Sequence, residues 1–170
     1  NNDILHLVAP CSAEEFATRH ILESLTMLEY LSEKARFADI GAGAGLPSIP
    51  CLIVREDLKG LLIDSKAKKT DFLQKVLEKC NLAKRVKIEN KQFEEVRNFD
   101  LSFVTCRALD KFTQKLPSII KWSGSCSLLL FGGNTLRDEL KKNHLNFKKT
   151  LMPLSEQRFL FFSENTRIYS

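Results

Sequence analysis

Three alternating glycines are the first residues whose type and spacing can do chemistry. Gly41, Gly43 and Gly45 follow the strand-like run 36–40, and Pro47 suits the first turn of a helix. Glycine lets the backbone approach a ligand closely, and the free amides of the following helix point at that ligand. The order strand, glycine loop, helix predicts a ligand site, although a plain tight turn would use the same glycines.

Two further residues narrow the class of ligand. The dinucleotide fingerprint requires Gly or Ala where this chain has Leu46, so a nicotinamide or flavin enzyme is disfavoured. Asp64 ends the second predicted strand about twenty residues after the loop, where a carboxylate accepts hydrogen bonds from both hydroxyls of a ribose. Asp64 is also suited to cap the next helix, and the two roles are compatible.

Candidate residues also follow the third and fourth predicted strands. Phe93 and Glu94 lie where the adenine ring of a nucleoside ligand would sit, although Glu94 also suits a solvated first turn of a helix. Arg107 lies at the carboxyl end of the fourth strand, where open α/β sheets bind their ligands. We predict a functional arginine there in preference to a surface one.

The charge balance is mildly basic. Lys and Arg number 26 against 21 Asp and Glu, which gives a net charge of +5 and favours a polyanionic partner. Two basic clusters fit phosphate contact or plain solvated surface: Lys66, Lys68 and Lys69, and Lys84, Arg85 and Lys87. His20 lies beside the apolar stripe of the first helix, where a packed or hydrogen-bonded histidine is the simplest interpretation.

Cysteine usage and hydropathy set the expected compartment. The five cysteines are odd in number and lack a C-x-x-C pair, which favours neither a disulfide framework nor a zinc site. No apolar run approaches the ~18 residues of a membrane span. We expect a monomer in a reducing cytoplasm, with no metal and no membrane. The chain begins without Met in a loop-like stretch, so an N-terminal segment is expected to be missing.

Strand and helix signals alternate along the chain. Ser12 and Glu15 form a capping box ahead of a helix predicted over 13–31, with an apolar stripe at Ile21, Leu25 and Leu28. The other predicted helices span 47–54, 66–80, 111–121 with an interruption or kink at Pro117, and 135–143. Strands are predicted over 36–40, 60–64, 86–88, 101–105 and 126–131. The alternation predicts an α/β fold with a parallel sheet covered on both faces.

The last two apolar runs, 147–151 and 158–162, have no crossover helix between them. They are predicted to pair as an antiparallel hairpin at a sheet edge, which completes seven strands. The chain is predicted to be a single domain over 1–170, with residues 1–34 as a helical addition.

These motifs give the chain a resemblance to the small-subunit ribosomal RNA guanine-N7 methyltransferases, called RsmG or GidB. The most specific match is the ten-residue string G-x-G-x-G-L-P-x-I-P at 41–50, and further matches lie at 19–25, 62–65, 69, 72–73, 93–94 and 107–108. The resemblance implies a Rossmann-like class I methyltransferase with S-adenosyl-L-methionine as cofactor and a guanine of 16S ribosomal RNA as substrate.

The resemblance also implies roles for individual residues. It implies cofactor contact by Gly41, Leu46, Phe93, Glu94 and Arg107, to which we add Gly43, Gly45, Asp64 and Ser65. RNA contact is predicted for His20, Lys66, Lys68 and Lys69. Guanine N7 has a free lone pair and no proton, so no general base is expected, and Arg107 is predicted to act by positioning.

The chain departs from the family pattern at three positions. The family's Asp is Glu23, its Arg before the Phe-Glu pair is Gln92, and its Lys before a glycine is Phe131. The missing Lys keeps open a non-catalytic RNA-binding or regulatory module. A small-molecule methyltransferase is a third possibility, which predicts activity on a free metabolite without salt dependence.

Overall fold

The computed structural model describes residues 8–98 and 100–164 and places their strands in one seven-stranded sheet. The strands are β1 (Arg36–Ile40), β2 (Lys59–Ile63), β3 (Val86–Glu89), β4 (Phe103–Arg107), β5 (Ser127–Gly132), β6 (Lys148–Leu151) and β7 (Phe159–Ser163). Their order is β3-β2-β1-β4-β5-β7-β6. Strands β1 to β5 are parallel, and β7 runs antiparallel to both β5 and β6. The predicted parallel sheet with a terminal antiparallel hairpin is confirmed.

Helices cover both faces of this sheet. They are α1 (Ser48–Val54), α2 (Ala67–Lys79), α3 (Phe112–Ser123) and α4 (Asn134–Lys142). A further stretch, here called the N-terminal segment, runs through Ala13–Phe16 as α-helix, Ala17–Leu22 as π-helix, Glu23–Leu25 as α-helix and Thr26–Glu29 as 3₁₀-helix. The predicted capping box is present, because the Glu15 amide donates to the Ser12 hydroxyl and the Ser12 amide donates to the Glu15 carboxylate, both at 3.1 Å.

Two cores separate on the sheet because strand side chains alternate between its faces. Phe37 faces the N-terminal segment, α1 and α2, where it joins Leu52 and Leu73. Ile40 faces α3 and α4 and packs in the second core with residues such as Leu116. β1 is buried at four of its five positions, so the loop that follows it starts from a rigid base.

The structure corrects several predicted boundaries. The N-terminal segment ends at Glu29, and the predicted helix across Pro117 is continuous from Phe112 to Ser123 instead of interrupted. β4 begins and ends two residues later than predicted, which makes Arg107 its last residue. Hydrophobic pattern locates elements better than their ends, because capping and packing decide where each one stops.

No helix within 8–98 and 100–164 is long and apolar enough to cross a bilayer. The first seven residues, on which the expectation of a missing N-terminal segment rests, lie outside the described residues.

Candidate active site

A cleft lies over the carboxyl ends of β1, β2 and β4, at the point where the strand order reverses between β1 and β4. It consists of two adjoining cavities of about 310 and 410 Å³, which share Gly41, Lys69 and Ala108 in their linings. The smaller, here the Asp64 cavity, contains Asp64. The larger, the Arg107 cavity, contains Arg107 and the glycine loop from Gly41 to Ala44, whereas Gly45 lines neither cavity.

The glycine loop and Asp64 are joined directly. The Gly43 amide donates to Asp64 Oδ2 at 3.0 Å, and the Lys66 amide donates to Asp64 Oδ1 at 2.9 Å. Gly43 has a φ of +49°, a conformation that β-branched residues avoid. A Cβ on Gly45 would lie 2.4 Å from Ile49 Cγ1, so Gly45 is required for packing of the loop against α1. The carboxylate therefore fixes the loop while each oxygen keeps acceptor capacity.

The wall of the Asp64 cavity is formed by residues after β2, β3 and β4. Ser65 and Phe93, both predicted to contact the cofactor, line it. Phe93 is 3% exposed and makes an edge-to-face contact with Trp122, their ring centroids being 6.0 Å apart. Glu94 is exposed and lines neither cavity, so its predicted cofactor contact gains no support from this geometry. Leu46 lines the Arg107 cavity.

Arg107 is bound to the N-terminal segment. Its Nη2 donates to the Arg19 carbonyl at 2.7 Å and to Glu23 Oε2 at 3.1 Å, and its Cζ lies 5.7 Å from the centroid of the Phe131 ring. The side chain is 15% exposed, and burial lowers its pKa while Glu23 opposes that shift. Nη1 is buried without a hydrogen-bond partner in the described structure. An ion pair thus anchors Arg107, and its buried Nη1 keeps unused donor capacity.

Glu23 joins two arginines. Its side chain is 2% exposed, and Oε1 accepts from Arg158 Nε at 2.9 Å and Nη2 at 2.6 Å while Oε2 accepts from Arg107. Nothing in the spacing of these residues indicated that they meet. The family's Asp position is therefore occupied here by a carboxylate that connects the N-terminal segment, β4 and the residue that precedes β7.

His20 lines the Arg107 cavity, and its Nδ1 lies 3.3 Å from Arg107 Nη2. Burial lowers the pKa of His20, and the Arg107 charge lowers it further. The imidazole is therefore neutral at pH 7 and can accept from Arg107. The packed, hydrogen-bonded histidine expected from the sequence is what the structure shows, at a position that also faces the cleft.

The three predicted lysines divide between the cleft and the surface. Lys69 lines both cavities, with Nζ 3.6 Å from where a Cβ on Gly43 would lie. Lys66 lines the Asp64 cavity, whereas Lys68 is exposed and lines neither. Lys69 is thus placed beside the glycine loop rather than on an outer RNA-binding face.

Asp39 is a residue that sequence reasoning missed. It lies on β1 two residues before Gly41, is 0% exposed and accepts from Ser48 Oγ at 2.5 Å, while its Oδ1 has no partner in the described structure. Burial, with a smaller contribution from the Asp64 charge, raises the pKa of Asp39 to about 7. A lone acid in the apolar run Phe37-Ala38-Asp39-Ile40 was the signal that could have found it.

Two more residues of the cleft carried no sequence signal. Leu109 covers Gly41, since its Cδ1 would lie 2.6 Å from a Cβ there, and Asn90 donates to the Asp64 carbonyl at 3.0 Å. Both follow strand ends in loops without a motif. Within the described residues, no group of three or more His, Cys, Asp or Glu side chains is arranged to hold a metal ion.

Comparison with known proteins agrees with this geometry. The chain is 34% identical to the ribosomal RNA small subunit methyltransferase G of Sorangium cellulosum over 82% of its own length and 61% of that protein. It is also 34% identical to the protein of that name from Magnetococcus marinus, over 83% of its length and 66% of the relative. The chain thus spans less than two thirds of these relatives.

The fold has solved counterparts. N,N-8-amino-8-demethyl-D-riboflavin dimethyltransferase from Streptomyces davawensis superposes with a TM-score of 0.71 over 90% of this chain and 56% of its own, at 19% identity. That likeness shows the class I methyltransferase fold and nothing about substrate. The family model described as rRNA small subunit methyltransferase G matches residues 1–167, and the chain therefore belongs to the GidB family.

Proposed function

We propose that this chain is an S-adenosyl-L-methionine-dependent methyltransferase that methylates N7 of a guanine in 16S ribosomal RNA. The observation that carries the proposal is the contact between the Gly43 amide and Asp64 at the switch point of the sheet, in a chain of this family. The names of the relatives, ribosomal RNA small subunit methyltransferase G, support ribosomal RNA as the substrate.

The residues of the cleft fit this cofactor. Asp64 offers a nearly buried carboxylate for ribose hydroxyls, and Phe93 with Leu109 offers apolar surface for a purine ring. Lys69 and the unpartnered Nη1 of Arg107 offer positive charge for a carboxylate at the other end of the cleft. We propose that Gly41, Gly45, Leu46 and Ser65 complete the binding surface, and that Glu94 contributes least.

The bound cofactor supplies an electrophilic methyl group. The protein has to align that group with the lone pair of guanine N7 and keep water away, because N7 carries no proton that a base must remove. In our proposal Arg107 orients the reactants from the wall of its own cavity, and His20, Lys66 and Lys68 contact the RNA around the target base. We further propose that the protein acts as a single-domain monomer in the cytoplasm.

The direct test is methyl transfer from labelled S-adenosyl-L-methionine to small ribosomal subunits and to protein-free 16S RNA from cells that lack this gene. Mass-spectrometric mapping of the product should show one N7-methylguanine. Cofactor binding without transfer to any RNA would instead favour the non-catalytic module suggested by Phe131. Transfer to a free metabolite, unaffected by salt, would favour a small-molecule enzyme.

A further inference from the structure

Within residues 8–98 and 100–164, the connection from β3 to β4 leaves one face of the sheet open at the β3 edge. Its short 3₁₀ turn, Phe93–Glu95, packs on α3 through the contact of Phe93 with Trp122. Trp122 Nε1 donates to the Val96 carbonyl at 2.8 Å, and the Asn98 side chain donates to the Trp122 carbonyl at 3.1 Å. The connection is therefore held towards α3, and a groove of about 660 Å³ remains along β2 and β3.

Basic side chains share this uncovered face. Arg36 and Lys59 are register partners on β1 and β2, and Lys87 is the register partner of Leu61, two residues along β2 from Lys59. The three cations and Leu61 all line the groove. Like charges on neighbouring strands destabilise a sheet, so their grouping does nothing for folding and is explained by an anionic ligand.

The groove keeps an excess of positive charge after its internal contacts are counted. Seven Lys or Arg residues and two Glu residues line it. The Arg85 guanidinium already has partners within the protein, because it donates to the Arg55 and Leu58 carbonyls at 3.1 and 3.0 Å. Arg36 pairs with Asp100 at 3.2 Å.

Both acids of the groove are engaged as well. Glu89 lies 3.6 Å from Lys91 Nζ, and Glu95 accepts from the Gln92 amide at 3.0 Å. Among the described residues, the lining cations that make neither an ion pair nor carbonyl contacts like those of Arg85 are Lys59, Lys84, Lys87 and Arg97.

The groove is continuous with the cleft, because Lys91 lines both the groove and the Asp64 cavity. We propose that the groove is a second RNA-binding surface, which holds the phosphate backbone of the ribosomal RNA at a distance from the target guanine. This proposal rests on the proposed function, since the polyanion that reaches the cleft is the RNA substrate. Its cations contact phosphates and position the RNA without reading its sequence.

The test is a pair of charge-matched double variants. Lys59→Glu with Lys87→Glu changes the groove, and Lys75→Glu with Lys141→Glu makes the same charge change at exposed positions on α2 and α4, outside the groove. Each is assayed for binding of protein-free 16S RNA and of small ribosomal subunits as a function of salt, for S-adenosyl-L-methionine affinity and for thermal unfolding.

We expect the groove variant to bind 16S RNA at least ~10-fold more weakly and to show a salt slope shallower by about 1.4 to 1.8, the value for two lost phosphate contacts. Its cofactor affinity and melting temperature should match those of the control variant. Wild-type RNA affinity in the groove variant, or an equal loss in the control, overturns the proposal.

Further outcomes distinguish a different partner for the groove, failure of the groove proposal alone and failure of the proposed function. Weaker binding to subunits with unchanged binding to protein-free RNA would assign the groove to a ribosomal protein and also overturn the proposal. A wild-type chain that methylates RNA while the groove variant is unimpaired refutes only the groove. A wild-type chain that neither binds nor methylates RNA refutes the proposed function and the groove together.

Discussion

The contact that joins the glycine loop to Asp64 is made by neighbours in the chain and sheet, whereas the contacts of Arg107 come from residues that are distant in sequence. Gly43 and Asp64 are 21 residues apart and belong to one strand-helix-strand unit. Arg107 and Glu23 are 84 residues apart, and Arg158 and Glu23 are 135 apart. One compact unit thus supplies the Gly43–Asp64 contact, and the Arg107 cavity is complete only when the N-terminal segment has docked.

The two parts of the cleft therefore present different groups to a ligand. The local unit presents the residues that suit a nucleoside, and the docked segment presents the charges beside it. Substitutions that affect one cavity should therefore leave the other largely intact.

The largest expected effect is on stability, from Glu23→Gln. Removing this charge leaves Arg107 with no buried counter-charge, and we expect the free energy of unfolding to fall by ~3 kcal/mol in denaturant titrations. Asp100→Asn, which breaks the exposed pair with Arg36, should cost less than ~1 kcal/mol. Equal small losses in both variants would show that the Glu23 network does not hold the N-terminal segment in place.

Gly43→Val should disrupt the glycine loop that is joined to Asp64. At a φ of +49° a β-branched side chain strains the loop and fills the approach to its amide, so S-adenosyl-L-methionine affinity should fall at least ~100-fold by calorimetry. Gly124→Val carries similar strain, at a φ of +60°, in the turn after α3. The control should lose stability but keep cofactor affinity, and a parallel loss of affinity would contradict the site.

Asp64→Ala tests the carboxylate in the same cavity. It removes the acceptor of the Gly43 and Lys66 amides and of the proposed ribose hydroxyls, which is worth ~1–3 kcal/mol, or about 5- to 150-fold in cofactor affinity. Asp71→Ala, at an exposed position on α2, serves as the control. Unchanged affinity in a folded Asp64→Ala protein would remove Asp64 from the cofactor site.

Arg107→Lys tests the role of Arg107 in the Arg107 cavity. Lysine keeps the charge but not the paired donors, so single-turnover methyl transfer at saturating cofactor should slow by about 10-fold, with a smaller loss of cofactor affinity. Arg19→Lys, which changes an exposed partner of Glu15, should retain the wild-type rate. A normal rate for folded Arg107→Lys would leave Arg107 with a purely structural role as an ion pair.

The smallest effect concerns Asp39 and pH. Its pKa rises from 3.8 to about 7 on folding, so above pH 3.8 the unfolded chain gives up a proton that the folded protein retains. Stability is lost as pH rises through this window, by about 1 kcal/mol between pH 6 and 8. In Asp39→Asn this part of the pH dependence of the unfolding free energy should disappear. If the free energy of unfolding fell with pH as in the wild-type protein, the raised pKa of Asp39 would be refuted as its cause.

The sequence by itself determined the fold class and the local side of the cleft. Alternating strand and helix signals predict parallel strands, and the carboxyl ends of parallel strands share one edge. Because Gly41, Asp64 and Phe93 each follow a strand, their meeting could be derived without coordinates. The antiparallel hairpin followed from the missing crossover helix between the last two runs.

Only the tertiary structure decided which distant charges meet. Periodicity assigns a residue to a face of its own element, but it carries no information on what packs there from 84 or 135 residues away. The ion pairs of Glu23, the contact of Asp39 with Ser48 and the position of Lys69 in the cleft are therefore invisible in the sequence. The open groove could not be predicted from the sequence either, because its exposure depends on how the Phe93–Glu95 turn packs against α3.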